Sequence, residues 1–160
     1  MILEVRLAIA DYANNSIVRR SLENRWRIGL EMNAHKSVLK SSNTAGILVV
    51  TITEPHIRTP ETSHAVSDAL IETVTSEKAE KVVLDLCHVT FIGSVGLLGF
   101  LALRKTEGVN EIVVCNLSST IKSMFIACRL ISEKEGREPA PFGYAESVAE
   151  AMTQIRGVVE

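Results

Sequence analysis

At 160 residues, with 46% hydrophobic and 22% charged side chains, the chain suits one domain with an appendage and is too apolar for wholesale disorder. Its net charge of -2 gives no basic footprint for nucleic acid, and 4% aromatics give no stacking platform for single strands. Cys87, Cys115 and Cys128 are an odd set without CxxC spacing, so they read as reduced, structural thiols of a cytoplasmic protein.

The N-terminus, MILEVRLAIADYANN, is broken by Glu4 and Arg6 and lacks the basic start and long apolar core of a signal peptide. Residues 1–33 are expected to form an N-terminal extension, helical or loosely ordered. Within it, Ser16 to Met32 carries Arg19, Arg20, Arg25 and Arg27, with Val18, Leu22, Trp26 and Ile28 near helical spacing. Met32 offers a second candidate start, and the domain proper is expected over 34–160. No membrane span is expected, because the longest uncharged apolar run, Phe91 to Leu103, falls short of the ~20 residues a spanning helix needs.

From His35 the chain becomes a regular series. Lys36 to Lys40 is a short strand, and Ser41 to Gly46 has turn composition. Gly46-Ile-Leu-Val-Val-Thr-Ile-Thr53 is a β-branched apolar run and predicts a buried strand that Pro55 ends. Thr59-Pro60-Glu61 opens a helix with a cap residue, a proline at the first helical position and an acid in the first turn. Its apolar face runs through Ala65, Val66, Ala69, Leu70, Ile71 and Val74 to about Thr75. Lys81 to Cys87 is the next strand, apolar almost throughout. His88 to Ser94 leads to a helix over Val95 to Lys105, closed by Glu107-Gly108.

Glu111 to Leu117 is a further buried strand. Ser118 or Ser119 then caps a helix that sends Ile121, Met124, Phe125 and Cys128 toward the core. Glu133 to Pro141 is charged and proline-bounded, so it reads as a loop, and Tyr144 to Ile155 as a final amphipathic helix. Alternating strands and helices with short links predict an α/β fold: a mainly parallel sheet with helices packed on it.

Val89-Thr-Phe-Ile-Gly-Ser-Val-Gly-Leu-Leu-Gly99 carries the most chemistry. Ser94 stands where a helix begins, and the unpaired N–H groups there favour negative charge. A phosphate on Ser94 would add about -1.5 to -2 of charge to an apolar surface. The competing reading is that Ser94 simply caps the helix, since serine is a preferred cap. A hydrolytic nucleophile is argued against by missing parts: Ile92 stands where a nucleophile elbow needs glycine, and no motif ties His35, His56, His64 or His88 to Ser94.

Gly93, Gly96 and Gly99 match neither G-x-G-x-x-G nor the P-loop, and their threefold spacing suits a helix lying close to the sheet. Asp85 has no acidic pair to help it hold magnesium and is expected to be a hydrogen-bonded structural residue. The histidines lack metal-ligand spacing, so no metal and no other cofactor is expected.

Lys81-Val-Val-Leu-Asp-Leu-Cys-His-Val-Thr-Phe-Ile-Gly-Ser-Val-Gly-Leu97 resembles the signature of STAS domains. In that family a strand ending in an Asp-Leu pair leads through a "V-x-F-hydrophobic" turn to "D-S-S/T-G-L" at a helix start. Val113-Val-Cys-Asn-Leu-Ser-Ser-Thr-Ile-Lys-Ser-Met-Phe-Ile-Ala-Cys-Arg-Leu130 is similar to the second hallmark, a strand, a capping turn and a helix. The resemblance covers about 35 to 155. It implies a sheet of four or five strands with helices on one side, and a non-catalytic domain that binds a serine-kinase anti-sigma factor. It also implies that phosphorylation of the serine after the motif's Asp switches binding off.

Ser94 stands at that serine's place, but Gly93 replaces the Asp and Val95 the second hydroxyl. The stretch Thr53 to Pro60 replaces the usual "G-E/x-L-D" turn. The expected contact surface is Phe91, Ile92, Gly93, Val95, Gly96, Leu97 and Leu98, with Asn116 and Ser118 nearby. The expected partner is an anti-sigma factor or other kinase-like protein. Two alternatives stand beside this: a scaffold or oligomer subunit that self-associates without a phospho-switch, and a small-molecule or nucleotide sensor.

Overall fold

The computed structural model describes residues 37–132 and 139–157. The expected N-terminal extension, its helix over Ser16 to Met32, Lys36 of the expected first strand, and residues 133–138 of the expected loop lie outside the described residues. In chain order the elements are β1 (Leu39–Thr44), β2 (Ile47–Ile52), β3 (His56–Ile57), α1 (Pro60–Ser76), β4 (Lys81–Asp85), β5 (Phe91–Ile92), α2 (Ser94–Arg104), β6 (Glu111–Cys115), α3 (Ser119–Ala127), β7 (Gly143–Ala145) and α4 (Val148–Arg156). Five strands form one sheet in the order β1-β2-β4-β6-β7, and β3 and β5 pair separately. Only β1 runs antiparallel to its neighbour.

The three apolar runs make the centre of the sheet, as their β-branched composition favours. Within each, alternate residues face opposite sides. Leu48, Val50, Val82, Leu84, Ile112 and Val114 join the larger core with Val66 and Leu70 of α1, Phe100 and Leu103 of α2, and Ile121 and Phe125 of α3. Ile47, Val83, Val113 and Cys115 face the other way and meet Ala151 and Ile155 of α4. The helices therefore lie on both faces, where the resemblance implies one. The small side chain of Ala151 and the apolar stripe through Ile155 are what let α4 cover the second face.

Four expectations are corrected, the first at the edge strand. Residues 41–44, expected as turn, continue β1: all of Lys40 to Thr44 is exposed, so this edge strand has no buried alternation for a pattern to reveal. The turn shrinks to Ala45 and Gly46, with φ of 54° and 79°, between the paired Thr44 and Ile47. Positive φ at both central residues suits the right-handed twist of a two-residue hairpin.

At the C-terminus, residues 143–145 are a strand and not helix. The Ser147 side chain accepts from Glu150 N at 3.2 Å, and the Glu150 carboxylate accepts from Glu146 N at 3.0 Å. That reciprocal capping starts α4 at Val148 and leaves Tyr144 free to pair with Val114.

Gly99 in α2 serves a different contact from the one expected. A Cβ on Gly99 would lie 2.9 Å from Ser67 Cβ, so this glycine brings α2 against α1, and not against the sheet. Phe100 and Phe125, with ring centroids 6.2 Å apart, and Phe125 and Phe142, 6.4 Å apart, then lock α2 and α3 over the core. Cys128, expected in the core, is exposed, because α3 ends at Ala127 and the chain has already turned away.

Candidate partner-binding site

The site is built where β4 and β6 end side by side, Asp85 paired with Cys115. Asp85 is 8% exposed, so its carboxylate must find donors, and it finds several. It accepts from Cys87 N at 3.0 Å, Asn116 Nδ2 at 2.9 Å and Thr51 Oγ1 at 3.3 Å. One buried carboxylate thus ties the start of the loop toward α2 to the start of the loop toward α3. Asn116 accepts a φ of 55° there, a region that asparagine tolerates better than most residues. Asp85 has the structural role expected of it.

Beyond Asp85 the chain reaches α2 through backbone anchoring. Thr90 N and Phe91 N both donate to Pro55 O, at 2.8 and 3.2 Å, and Gly93 N donates to Ile57 O at 2.8 Å. These bonds make the β3–β5 pair, with His56 beside Phe91 and Ile57 beside Ile92. Two-residue alternation then sorts the side chains. Ile57 and Ile92 are buried at 0% and 2% exposure, while His56 and Phe91 face outward. A Cβ on Gly96 would lie 2.9 Å from side-chain atoms of both Ile57 and Ile92, so α2 can close on this pair only with glycine there.

Gly93, and not Ser94, occupies the cap position of α2, with φ -81° and ψ 171° and no side-chain cap bond. Ser94 is therefore the first helical residue. Its side chain is exposed, and its hydroxyl makes no hydrogen bond among the described residues. The alternative that Ser94 caps the helix is overturned by this one-residue offset: only a residue with extended backbone just before the helix aims its oxygen at the first N–H groups.

Phe91 and Val95 flank Ser94. At 41% and 37% they are the exposed large hydrophobic side chains among the described residues. The Arg58 guanidinium carbon lies 4.8 Å from the Phe91 ring centroid.

The expected contact residues thus divide. Phe91, Ser94 and Val95 are each exposed, and Leu97 and Leu98 are half-buried. Ile92 and Gly96 are buried against each other and Ile57. Asn116 is held by Asp85, and the Ser118 hydroxyl accepts from Ile121 N at 3.3 Å as the cap of α3. Arg58 escaped the sequence reading. Its only signal was a cation inside the stretch that departs from the family's turn, and a two-residue strand gives no periodicity to place it.

Two of the thiols, Cys115 and Cys87, are held toward the protonated form. Burial first, then the nearby Asp85 carboxylate and Cys87, push Cys115 up to about 12. Cys87, exposed as a residue, is also raised, by desolvation of the thiol and by Asp85, whose carboxylate it approaches at 3.6 Å. Both stay protonated near neutral pH, and the thiolate is the reactive form. Among the described residues no three His, Cys, Asp or Glu side chains gather as a metal site, and no helix is long and apolar enough to cross a membrane.

The sequence model of the STAS domain matches residues 39–135, more than half of the chain. No curated protein sequence matches it. Among solved structures, the chain is similar to a Thermotoga maritima protein described as an anti-sigma factor antagonist, at 15% identity and a TM-score of 0.56, covering 74% of this chain and 94% of that one. It is also similar to a variant of RsbS from Moorella thermoacetica, at 11% identity and a TM-score of 0.54, covering 75% and 96%. At such identities the likeness concerns the fold.

Proposed function

This chain belongs to the STAS domain family, and on that footing we propose that it is a non-catalytic regulatory domain that binds an anti-sigma factor or similar kinase-like protein. The contact surface is Phe91, Ser94 and Val95, and phosphorylation of Ser94 weakens the contact. One observation carries the reading: the exposed large hydrophobics flank a serine hydroxyl that has no structural work. Singly exposed apolar residues are ordinary, but a pair of them around an unbonded hydroxyl gives a partner both contact area and a modifiable group.

The switch needs a partner that supplies ATP chemistry. The γ-phosphoryl group passes to Ser94 Oγ, the hydroxyl proton is lost, and ADP leaves. The product places about -1.5 to -2 of charge between Phe91 and Val95, where any apolar surface docked on them must desolvate it. Gly93 removes the family's carboxylate from the position before the serine, so the unmodified surface carries less negative charge and the phosphate makes the larger change.

The test is calorimetric titration of the full chain with a purified serine-kinase anti-sigma factor from the same organism. Wild type is expected to bind, and Ser94→Glu and Phe91→Ala to bind about tenfold or more weakly, a loss of about 1.4 kcal/mol each, with circular dichroism unchanged. Equal affinity for all three overturns the surface assignment. Self-association through the same residues, with no binding to any such kinase, would replace the proposal with the scaffold reading.

A further inference from the structure

Taking Ser94 as the switched residue, we propose that Arg58 is the side chain that responds to its phosphorylation. The guanidinium that covers Phe91 in the unmodified protein transfers to the phosphate and leaves the ring. The inference rests on the proposed function above and adds the device by which one modification alters the whole contact surface.

The pairing of β3 with β5 fixes where Arg58 stands. His56 lies beside Phe91 and Ile57 beside Ile92, so the next residue, Arg58, comes alongside Gly93. Gly93 N donates to Ile57 O at 2.8 Å, and a Cβ on Gly93 would lie 3.4 Å from Arg58 O. Arg58 is therefore a backbone neighbour of the residue just before Ser94, across a strand pair and not through the α2 helix. Its side chain is exposed and lies over Phe91, 4.8 Å from the centroid, and among the described residues it forms no salt bridge. The nearby Glu54 carboxylate is directed at His56 N, 3.4 Å away.

An exposed guanidinium on a phenyl face is held weakly, whereas guanidinium and phosphate match in shape and pair through two parallel charge-assisted bonds. The long side chain of Arg58 starts next to Gly93, one residue before the modified serine, and in the proposed device it swings from the Phe91 ring to the phosphate. A phosphate on Ser94 thus does two things at once. It adds negative charge beside Val95 and strips the cation from Phe91, so a partner that docks on the covered ring loses both features.

The test uses full-length protein carrying phosphoserine installed at position 94 during translation, which requires no kinase. Phosphorus NMR is followed against pH in the otherwise wild-type chain and in Arg58→Ala and Arg58→Gln backgrounds. The glutamine keeps most of the stem over Phe91 should the alanine disturb the strand pair. The second ionisation of the phosphate is expected about half a pH unit lower with Arg58 present than in either variant, since a cation in contact favours the dianion. The Phe91 ring resonances are expected to move on phosphorylation in the Arg58 background and to stay in place in the variants. Coincident titrations in all three proteins would overturn the proposal and leave partner binding by Phe91 and Val95 untouched. Loss of the partner reading in the calorimetric test would leave this titration result standing.

Discussion

Two crossings leave the same end of the sheet, from β4 to α2 and from β6 to α3, and each meets serine at the start of its helix. At the second, Ser118 sits just before α3 with extended backbone, and its oxygen takes the Ile121 N–H. At the first, Gly93 holds that place and Ser94 falls one residue later, inside the first turn. One position along the chain separates a hydroxyl used by its helix from a hydroxyl available to another molecule. The surroundings follow the same division. Half-buried Leu117 packs against the core beside Ser118, while Phe91 and Val95 stand exposed beside Ser94.

The largest expected effect falls on the group that serves both crossings. Asp85→Ala removes the acceptor shared by Cys87 N, Asn116 Nδ2 and Thr51 Oγ1. Hydrogen bonds to a charged group contribute roughly 1.5–3 kcal/mol, so urea unfolding should show a loss of about 2 kcal/mol. A loss below about 0.5 kcal/mol, the scatter of ordinary surface substitutions, would mean that the two loops are held independently. Ser118→Ala comes next, at about 1 kcal/mol, the usual effect of removing a capping oxygen. If it were silent, the contrast between the two serines would disappear from that side.

How much of this was legible depended on how long each signal ran. β2, β4 and β6 announce themselves through uninterrupted Val, Ile and Leu, and α1 through Thr59-Pro60-Glu61, since Thr59 Oγ1 does accept from Thr62 N. β1 was legible only at its start, because an exposed edge strand shows no apolar alternation. β3 and β5, two residues each, are too short to carry a period. β7 was absorbed into the following helix, because the sequence pattern continues through Tyr144 while the Ser147–Glu150 capping stops the helix at Val148.

The site was legible as a neighbourhood but not in its geometry. Ser94 and its apolar neighbours were visible in the motif, but which residue caps α2 depends on backbone angles at Gly93. Arg58 enters only through a strand pairing between segments more than thirty residues apart.

Of all the measurements open, the most direct is the urea-unfolding stability of Ser94→Ala, taken beside Ser118→Ala under identical conditions. A hydroxyl without structural work should leave stability within about 0.5 kcal/mol of wild type, against the larger loss at the true cap. A loss at Ser94 as great as that at Ser118 would show that α2 depends on this hydroxyl and would contradict the claim that it is free for a partner to read.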